Sequence, residues 1–383
     1  MRAILALEDG RLFEGDSFGA KGTSVGEIVF NTAMSGYQEA ITDPGSRGLI
    51  IAMTATAIGN TGINSLDNES SQAHPRGLVV EEINLIPSNW RSEMSLNDFL
   101  TRSKIPGISG IDTRALTVHI RTHGTMKACL STDPAMTPEK AVELAASGVG
   151  FDGVDFVQEV TTPETYEWDP DDQLSRRWNI AVGAGEVFEP LPPVRFKAVV
   201  IDLGVKFEIL RKLRQNGFKV TVVPATTPAG EILALEPDAI VLSNGPGDPD
   251  LLEPIHATVR ELLGKKPIFG IALGHLVLAR ALGAKLLKLR AGHHGGNVPV
   301  KDLATGKVLI TAQGHGAAVD PASLPEGVEV THVNLNDESV EGIRHAGHSA
   351  VGIQFHPEAS GGPHENAFLF ADFAKLVEKN KGA

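Results

Sequence analysis

Three short segments hold groups that could do chemistry. Gly270-Ile271-Ala272-Leu273-Gly274-His275 joins an apolar run to a helical one. A strand-to-helix elbow flanked by glycines exposes its central residue beside backbone N–H groups, the geometry that serves a nucleophile and its oxyanion hole. Gln354-Phe355-His356-Pro357-Glu358 sets a histidine and a carboxylate two apart after a strand, a spacing that suits a base and its orienter. Ser243-Asn244-Gly245-Pro246-Gly247-Asp248-Pro249 puts two glycines about a proline, a tight loop whose amides can approach a ligand. An ordinary turn explains that loop equally well on its own.

The elements that must position these groups have a consistent pattern. Residues 196–201 form a continuous apolar run, as a strand covered on both faces requires. A helical stretch over 206–215 follows, closed by Asn216-Gly217, then a strand over 218–223. Thr227-Pro228 opens another helix, and 238–242 and 267–271 give a third and a fourth strand. This alternation predicts a parallel, doubly wound, flavodoxin-like sheet with additional strands, whose ligands sit at the carboxyl ends of the strands. Both the glycine loop and the elbow fall at such ends.

The first 150 residues are richer in β-branched residues and glycine turns. Residues 1–7, 27–32 and 48–53 look like strands. Residues 95–102 look like a helix capped by Ser95 or Asn97, and Asp112 opens another. The expected organisation is α/β throughout: a mixed N-terminal α/β domain over 1–150, a connector over 151–194 with an acidic run and Glu189-Pro190-Leu191-Pro192-Pro193 at its end, and the doubly wound domain over 195–383. Arg211-Lys212-Leu213-Arg214 reads as a solvated helix face.

A length of 383 residues suits two domains, or three, at roughly 100–200 residues each. With 42% hydrophobic residues each domain can bury a core. A net charge of −13 argues against nucleic acid or an anionic membrane as the main partner. No stretch approaches the ~18 apolar residues of a membrane span, and the first seven residues are too short for a signal-peptide core. A cytoplasmic protein is expected. The single Cys129 excludes an internal disulfide and a multi-cysteine metal site, and packing is its expected role.

Taken in order, the three segments resemble the class I glutamine amidotransferases, whose elbow reads Gly-Ile-Cys-Leu-Gly-His and whose second motif reads His-Pro-Glu. Gly292-His293-His294-Gly295-Gly296-Asn297, Ile310-Thr311-Ala312-Gln313 and Pro357-Glu358-Ala359-Ser360 narrow the resemblance to the small subunit of carbamoyl phosphate synthase. So do 26–32, Ser35-Gly36-Tyr37-Gln38-Glu39 and Gly110-Ile111-Asp112-Thr113-Arg114 in the first domain. The resemblance spans essentially the whole chain. It implies a subunit that hydrolyses glutamine through a cysteine thioester, with ammonia passed to a large subunit for carbamoyl phosphate, and so for pyrimidine and arginine synthesis. It implies no cofactor in this chain, with ATP and Mg²⁺ on the large subunit.

The chain departs from that pattern where the chemistry lies. The catalytic positions are Ala272, His356 and Glu358, so base and orienter remain and the nucleophile is gone; a methyl group cannot form the thioester. The resemblance carries substrate binding to Gly45, Gly245, Gly247, Leu273, Leu276, Gly314, Gly316 and Ala317. Of these, Gly45 replaces a serine, Leu276 a glutamine, Gly314 an asparagine and Ala317 a phenylalanine. Ala55, Ala291 and Val298 are also smaller or less polar than is common in the family. An emptied or redesigned site, a paralogue without glutaminase, and a Cys-to-Ala trap with natural variation elsewhere all fit. The expectation is a small subunit inactive towards glutamine. The alternatives are a pocket for a different small molecule, larger and less polar than glutamine, and a structural or regulatory subunit. His275 is expected to cap or pack at the elbow helix. His293 and His294 count as a family loop rather than a metal site, because nothing supplies further ligands at a recognisable spacing.

Overall fold

The computed structural model describes residues 2–151, 153–176, 178–181, 185–188, 190–359 and 361–382. Met1, Glu189 and Ser360, which enter the sequence reading, lie outside them.

The first domain is a closed barrel, which the strand and helix signals did not disclose. Its strands are β1 (Arg2–Leu7), β2 (Leu12–Gly19), β3 (Thr23–Asn31), β4 (Leu49–Met53), β6 (Gly77–Val79), β8 (Pro106–Ser109) and β9 (Met126–Ser131), in the order β1-β2-β8-β6-β4-β3-β9. A short pair, β5 (Ala57–Ile58) and β7 (Glu82–Ile83), lies outside it. Pairings β3–β4, β4–β6 and β6–β8 are parallel and the others antiparallel. Parallel neighbours need crossovers, and the intervening chain supplies the helices Tyr37–Thr42 and Leu96–Arg102. Ser95 caps the second of these by accepting from Asp98 N–H at 3.1 Å. Asn97 is not the cap: its Oδ1 accepts instead from Gly19 N–H at 2.8 Å, tying the helix to β2. Asp112 caps the helix Thr113–His123. Cys129 is buried between β9 and the helix Pro138–Ser147, and desolvation pushes its thiol up to about 11, which suits packing rather than reactivity.

The second domain is built on one ten-stranded sheet. Its strands are β10 (Tyr166–Glu167), β13 (Phe196–Asp202), β14 (Phe218–Pro224), β15 (Ala239–Leu242), β16 (Ile268–Ile271), β17 (Leu286–Asp302), β18 (Val308–Val319), β19 (Val328–Asn334), β20 (Val340–His345) and β21 (Ala350–Ile353). A hairpin of β11 (Trp178–Ala181) and β12 (Gly185–Phe188) stands apart. The order is β10-β14-β13-β15-β16-β21-β20-β18-β17-β19. The run β14 to β21 is parallel, the doubly wound core that the sequence predicts. The continuous apolar run of β13 has its physical reason here. Val200 packs with Ile209, Leu213 and Phe373 on one face of the sheet, while Val199 and Ile201 pack with Ile255, Val259 and Val277 on the other.

The connector is more firmly held than its weak periodicity suggests. Glu167 pairs with Thr221 as part of the edge strand, and the ring of Trp168 packs 5.0 Å from that of Phe207. This corrects the reading of residues 211–214. Lys212 and Arg214 are buried, because the connector lies over their helix; Arg214 forks onto the Asp172 carboxylate at 2.6 and 2.7 Å. Among the described residues no helix is long and apolar enough to cross a membrane.

Candidate functional site

Ala272 stands at the turn between β16 and the helix Leu273–Leu282, at φ 52 and ψ −109. A non-glycine residue rarely occupies this backbone region, and strain of this kind persists only where packing over-determines it. The packing is visible. A Cβ on Gly274 would lie 2.2 Å from Leu242 O, and one on Gly270 2.5 Å from Gly274 O. Ala272 N–H donates to Ile353 O at 2.9 Å, and Gly274 N–H to Ser243 O at 3.0 Å. Leu273 opens the helix, where first-turn amides lack intrahelical partners. The elbow therefore keeps the shape of a nucleophile turn with a buried methyl at its apex.

The glycine loop after β15 is equally constrained. A Cβ on Gly245 would meet Leu203 O at 1.9 Å, so backbone runs against backbone there. Asn244 bridges the domains: its Oδ1 accepts from Lys206 N–H at 3.0 Å and its Nδ2 donates to Asp43 Oδ1 at 3.1 Å. Asp43 also accepts from Gly45 N–H at 2.8 Å. Glu69, from the first domain, caps the helix Phe207–Gln215 by accepting from Glu208 N–H at 3.1 Å. Burial pushes its carboxyl up to about 7.

His356 and Glu358 meet as the sequence predicts. His356 Nδ1 donates to Glu358 Oε1 at 2.8 Å, and a Cβ on Gly314 would lie 3.7 Å from the opposite ring nitrogen. Sequence reasoning missed the third member, Lys206, whose Nζ donates to the same Oε1 at 2.9 Å. Both charged groups of this ion pair are buried. Burial pushes Glu358 up, but Lys206 and then His356 outweigh it and hold the carboxyl at about 2. For Lys206, burial opposes the charge and the surrounding carboxylates, Glu358 foremost, raise its pKa above the ordinary value. Lys206 lies just past the carboxyl end of β13, where the strand-end rule points, so a signal for it was present.

A cavity of about 240 Å³ lies between the domains. It gathers every residue expected to bind substrate: Gly45, Gly245, Gly247, Leu273, Leu276, Gly314, Gly316 and Ala317. The first domain adds Val29 and Leu49 and the connector adds Phe151, none of which the sequence reading singled out as site residues. A smaller cavity of about 80 Å³ shares Gly45, Gly314 and His294 with it and is lined by His356 and Lys206. The pocket has not collapsed inward. Ala272 and Glu358 do not line either cavity; both are buried.

The remaining histidines divide. His275 is fully buried beneath the elbow, and desolvation pulls it down to about 3, so it packs. His294 is likewise pulled down to about 4. His293 has two potential ligand residues beside it. It faces His315 and Glu341 within 4.8 Å, ligand types that lie 22 and 48 positions away in the chain and carry no spacing signal. Burial pulls His293 down, but the Glu341 and Asp337 carboxylates raise its pKa above the ordinary value. His315, fully desolvated, falls to about 3.

Two family models match the chain. The carbamoyl-phosphate synthase small chain, CPSase domain, matches residues 5–130, and glutamine amidotransferase class-I matches residues 199–376. A carbamoyl phosphate synthase small chain from Akkermansia muciniphila is 49% identical over 385 residues, covering 100% of this chain and 99% of that one. One from Syntrophotalea carbinolica is 48% identical with the same coverage. The chloroplastic small chain of Oryza sativa is 44% identical across 99% of this chain and 83% of its own length.

Proposed function

Because this chain belongs to the family of carbamoyl phosphate synthase small chains, we propose that it acts as the small subunit beside a large, ATP- and Mg²⁺-using subunit, and that it does so without hydrolysing glutamine. One observation carries the second half: the elbow that presents the nucleophile is intact in its strained backbone, and Ala272 stands on it. The base–orienter pair and its buried lysine remain, so what is lost is the covalent step rather than the scaffold. The net charge of −13 fits a protein partner better than nucleic acid or an anionic membrane, in a cytoplasmic setting.

The test is an assay of the purified chain, alone and mixed with a large subunit from one of its relatives. Glutamine should release no ammonia above a heat-killed control, while added ammonia should support carbamoyl phosphate formation by the mixture. Loss of the nucleophile in sites of this logic costs ~10⁶ in turnover, so any measurable glutaminase would overturn the reading. A second reading rests on the cavity itself. Leu273, Leu276 and Ala317 make its second-domain wall apolar, and a few convergent polar groups beside such a wall describe a small-molecule site. A ligand less polar than glutamine that raises the melting temperature and is found there in crystals would favour it.

A further inference from the structure

We propose that His293, His315 and Glu341 bind one divalent first-row metal ion, Zn²⁺ being the best match, at the side of the interdomain cavity. The inference does not depend on the glutaminase reading. It rests on hydrogen-bond accounting around His315. Its Nδ1 lies 2.9 Å from Ala317 O, and its Nε2 lies 3.1 Å from Gln313 Oε1. Both neighbours are acceptors, because the orientation of the Gln313 amide is fixed independently. Thr311 Oγ1 gives its only proton to Val298 O at 2.9 Å, so it accepts from Gln313 Nε2 at 3.1 Å, leaving Gln313 Oε1 turned to the histidine. A neutral imidazole carries one proton and satisfies one of these two acceptors. With the proton on Nδ1 for Ala317 O, the Nε2 lone pair points at oxygen, and a cation is what such a gap accommodates.

The surroundings supply the rest of a coordination shell. Glu341 Oε1 lies 3.9 Å from His315 Nε2 and 3.6 Å from His293 Nδ1. These separations are close to those between ligands that share a zinc ion at 2.0–2.2 Å. His293 Nε2 is 2.8 Å from Asp337 Oδ2. A carboxylate on the far nitrogen of a histidine fixes the tautomer and turns the lone pair of the near nitrogen towards the cluster, where an ion would displace the Asn334 amide from it. Ala317 O does the same for His315. Glu341 is fully buried, and its Oε2 has no hydrogen-bond partner among the described residues. Asn334 Nδ2 donates to Glu341 Oε1 at 2.9 Å and reaches His293 Nδ1 at 3.3 Å; the second lone pair of Oε1 and all of Oε2 remain available. Two imidazoles and a carboxylate, with Gln313 Oε1 beside them, form a donor set suited to zinc. The ion would pin β17, β18 and β20 together where His315 lines the cavity.

The chain contains 13 histidines, so stoichiometry alone does not test the site. Full-length protein freed of metal with a chelator is titrated with Zn²⁺ calorimetrically, and with Co²⁺ by visible absorption. The expected result is one tight equivalent per chain, a tetrahedral-type cobalt spectrum and a higher melting temperature. Glu341→Gln should abolish the tight equivalent. Asp337→Asn, on a half-exposed side chain that leaves the fold alone, should weaken it about 10–100-fold. No tight equivalent in the wild type, a histidine pair protonated in place of a metal, or binding unchanged in both variants would overturn the proposal.

Discussion

At the scale of single residues, the site pairs His356 with Glu358 and Lys206, and an alanine stands on the elbow. Ala272→Cys alone should give a thiol that reaches His356 but little family-like turnover, because glutamine would still meet Gly45, Leu276 and Gly314. Each missing hydrogen bond is worth ~0.5–1.5 kcal/mol, and three raise the Michaelis constant by orders of magnitude. Adding Gly45→Ser, Leu276→Gln and Gly314→Asn should lower it again. The structure has room: a Cβ at 314 makes only an ordinary contact, and one at 45 asks Asp43 to give slightly, with Oδ1 at 3.1 Å. Steady-state glutaminase kinetics decide it; family-like saturation by the single revertant would mean the pocket's polar losses do not matter. Lys206 offers a second test. Glu358 is held at about 2, below its ordinary 4.5. The stability this contributes is therefore full above pH 4.5 and is lost as pH falls from there towards 2. Lys206→Met strands a buried carboxylate and should cost about 3–5 kcal/mol at pH 7. Urea midpoints at pH 7 and pH 4 should show the deficit shrinking at the lower pH, where Glu358 can take up a proton; an equal deficit at both would argue against the pair.

At the scale of elements, the elbow keeps a strained backbone at Ala272. Positive φ at Ala272 stores of order 1–3 kcal/mol. Replacing it with glycine releases that strain while giving up one buried methyl, ~0.8 kcal/mol, and ~0.5–1 kcal/mol of chain entropy. Ala272→Gly should thus fall between about 2 kcal/mol more stable and about 1 kcal/mol less stable than wild type. Ala279→Gly, in the helix that follows and also buried, has no strain to release and should lose more. Denaturation curves of the two variants make the comparison, and equal losses would mean that the elbow is unstrained. The close approaches of Gly245 to Leu203 O and Gly274 to Leu242 O show what holds the turn: backbone packed on backbone, which no side chain at 272 can alter.

At the scale of the molecule, the two domains are joined by partly buried polar contacts rather than by a loose linker. Asp43, Glu69 and Asn244 each reach across, and the cavity takes its walls from both sides. A small subunit assembled this way should present an unaltered docking surface despite its altered pocket. Leu85, Ile86 and Trp90 stand exposed on the first domain, as apolar residues of an interface would. Mixed with the large subunit of a relative, the chain should elute as a single larger complex in size-exclusion chromatography. Two separate peaks at micromolar concentration would count against the partnership.

The sequence by itself determined the parallel core, the elbow, the glycine loop and the His356–Glu358 pair. In each case the signal is local: an apolar run for a doubly covered strand, glycines where backbones touch, a histidine and a carboxylate two positions apart. Only the tertiary structure decided the rest. Barrel closure depends on which strands meet, and a mixture of parallel and antiparallel pairings leaves no periodicity to read. Lys206 reaches Glu358 across 152 positions, and Arg214 reaches Asp172 across 42. Residues 211–214 look solvated in sequence because their partners lie in a connector with little pattern of its own. His293 looked like loop because Glu341 and His315 come to it from other strands. A buried ionised group is legible only with its partner, and the partner is chosen by folding, since an unpaired charge in the interior costs more than the fold can spare.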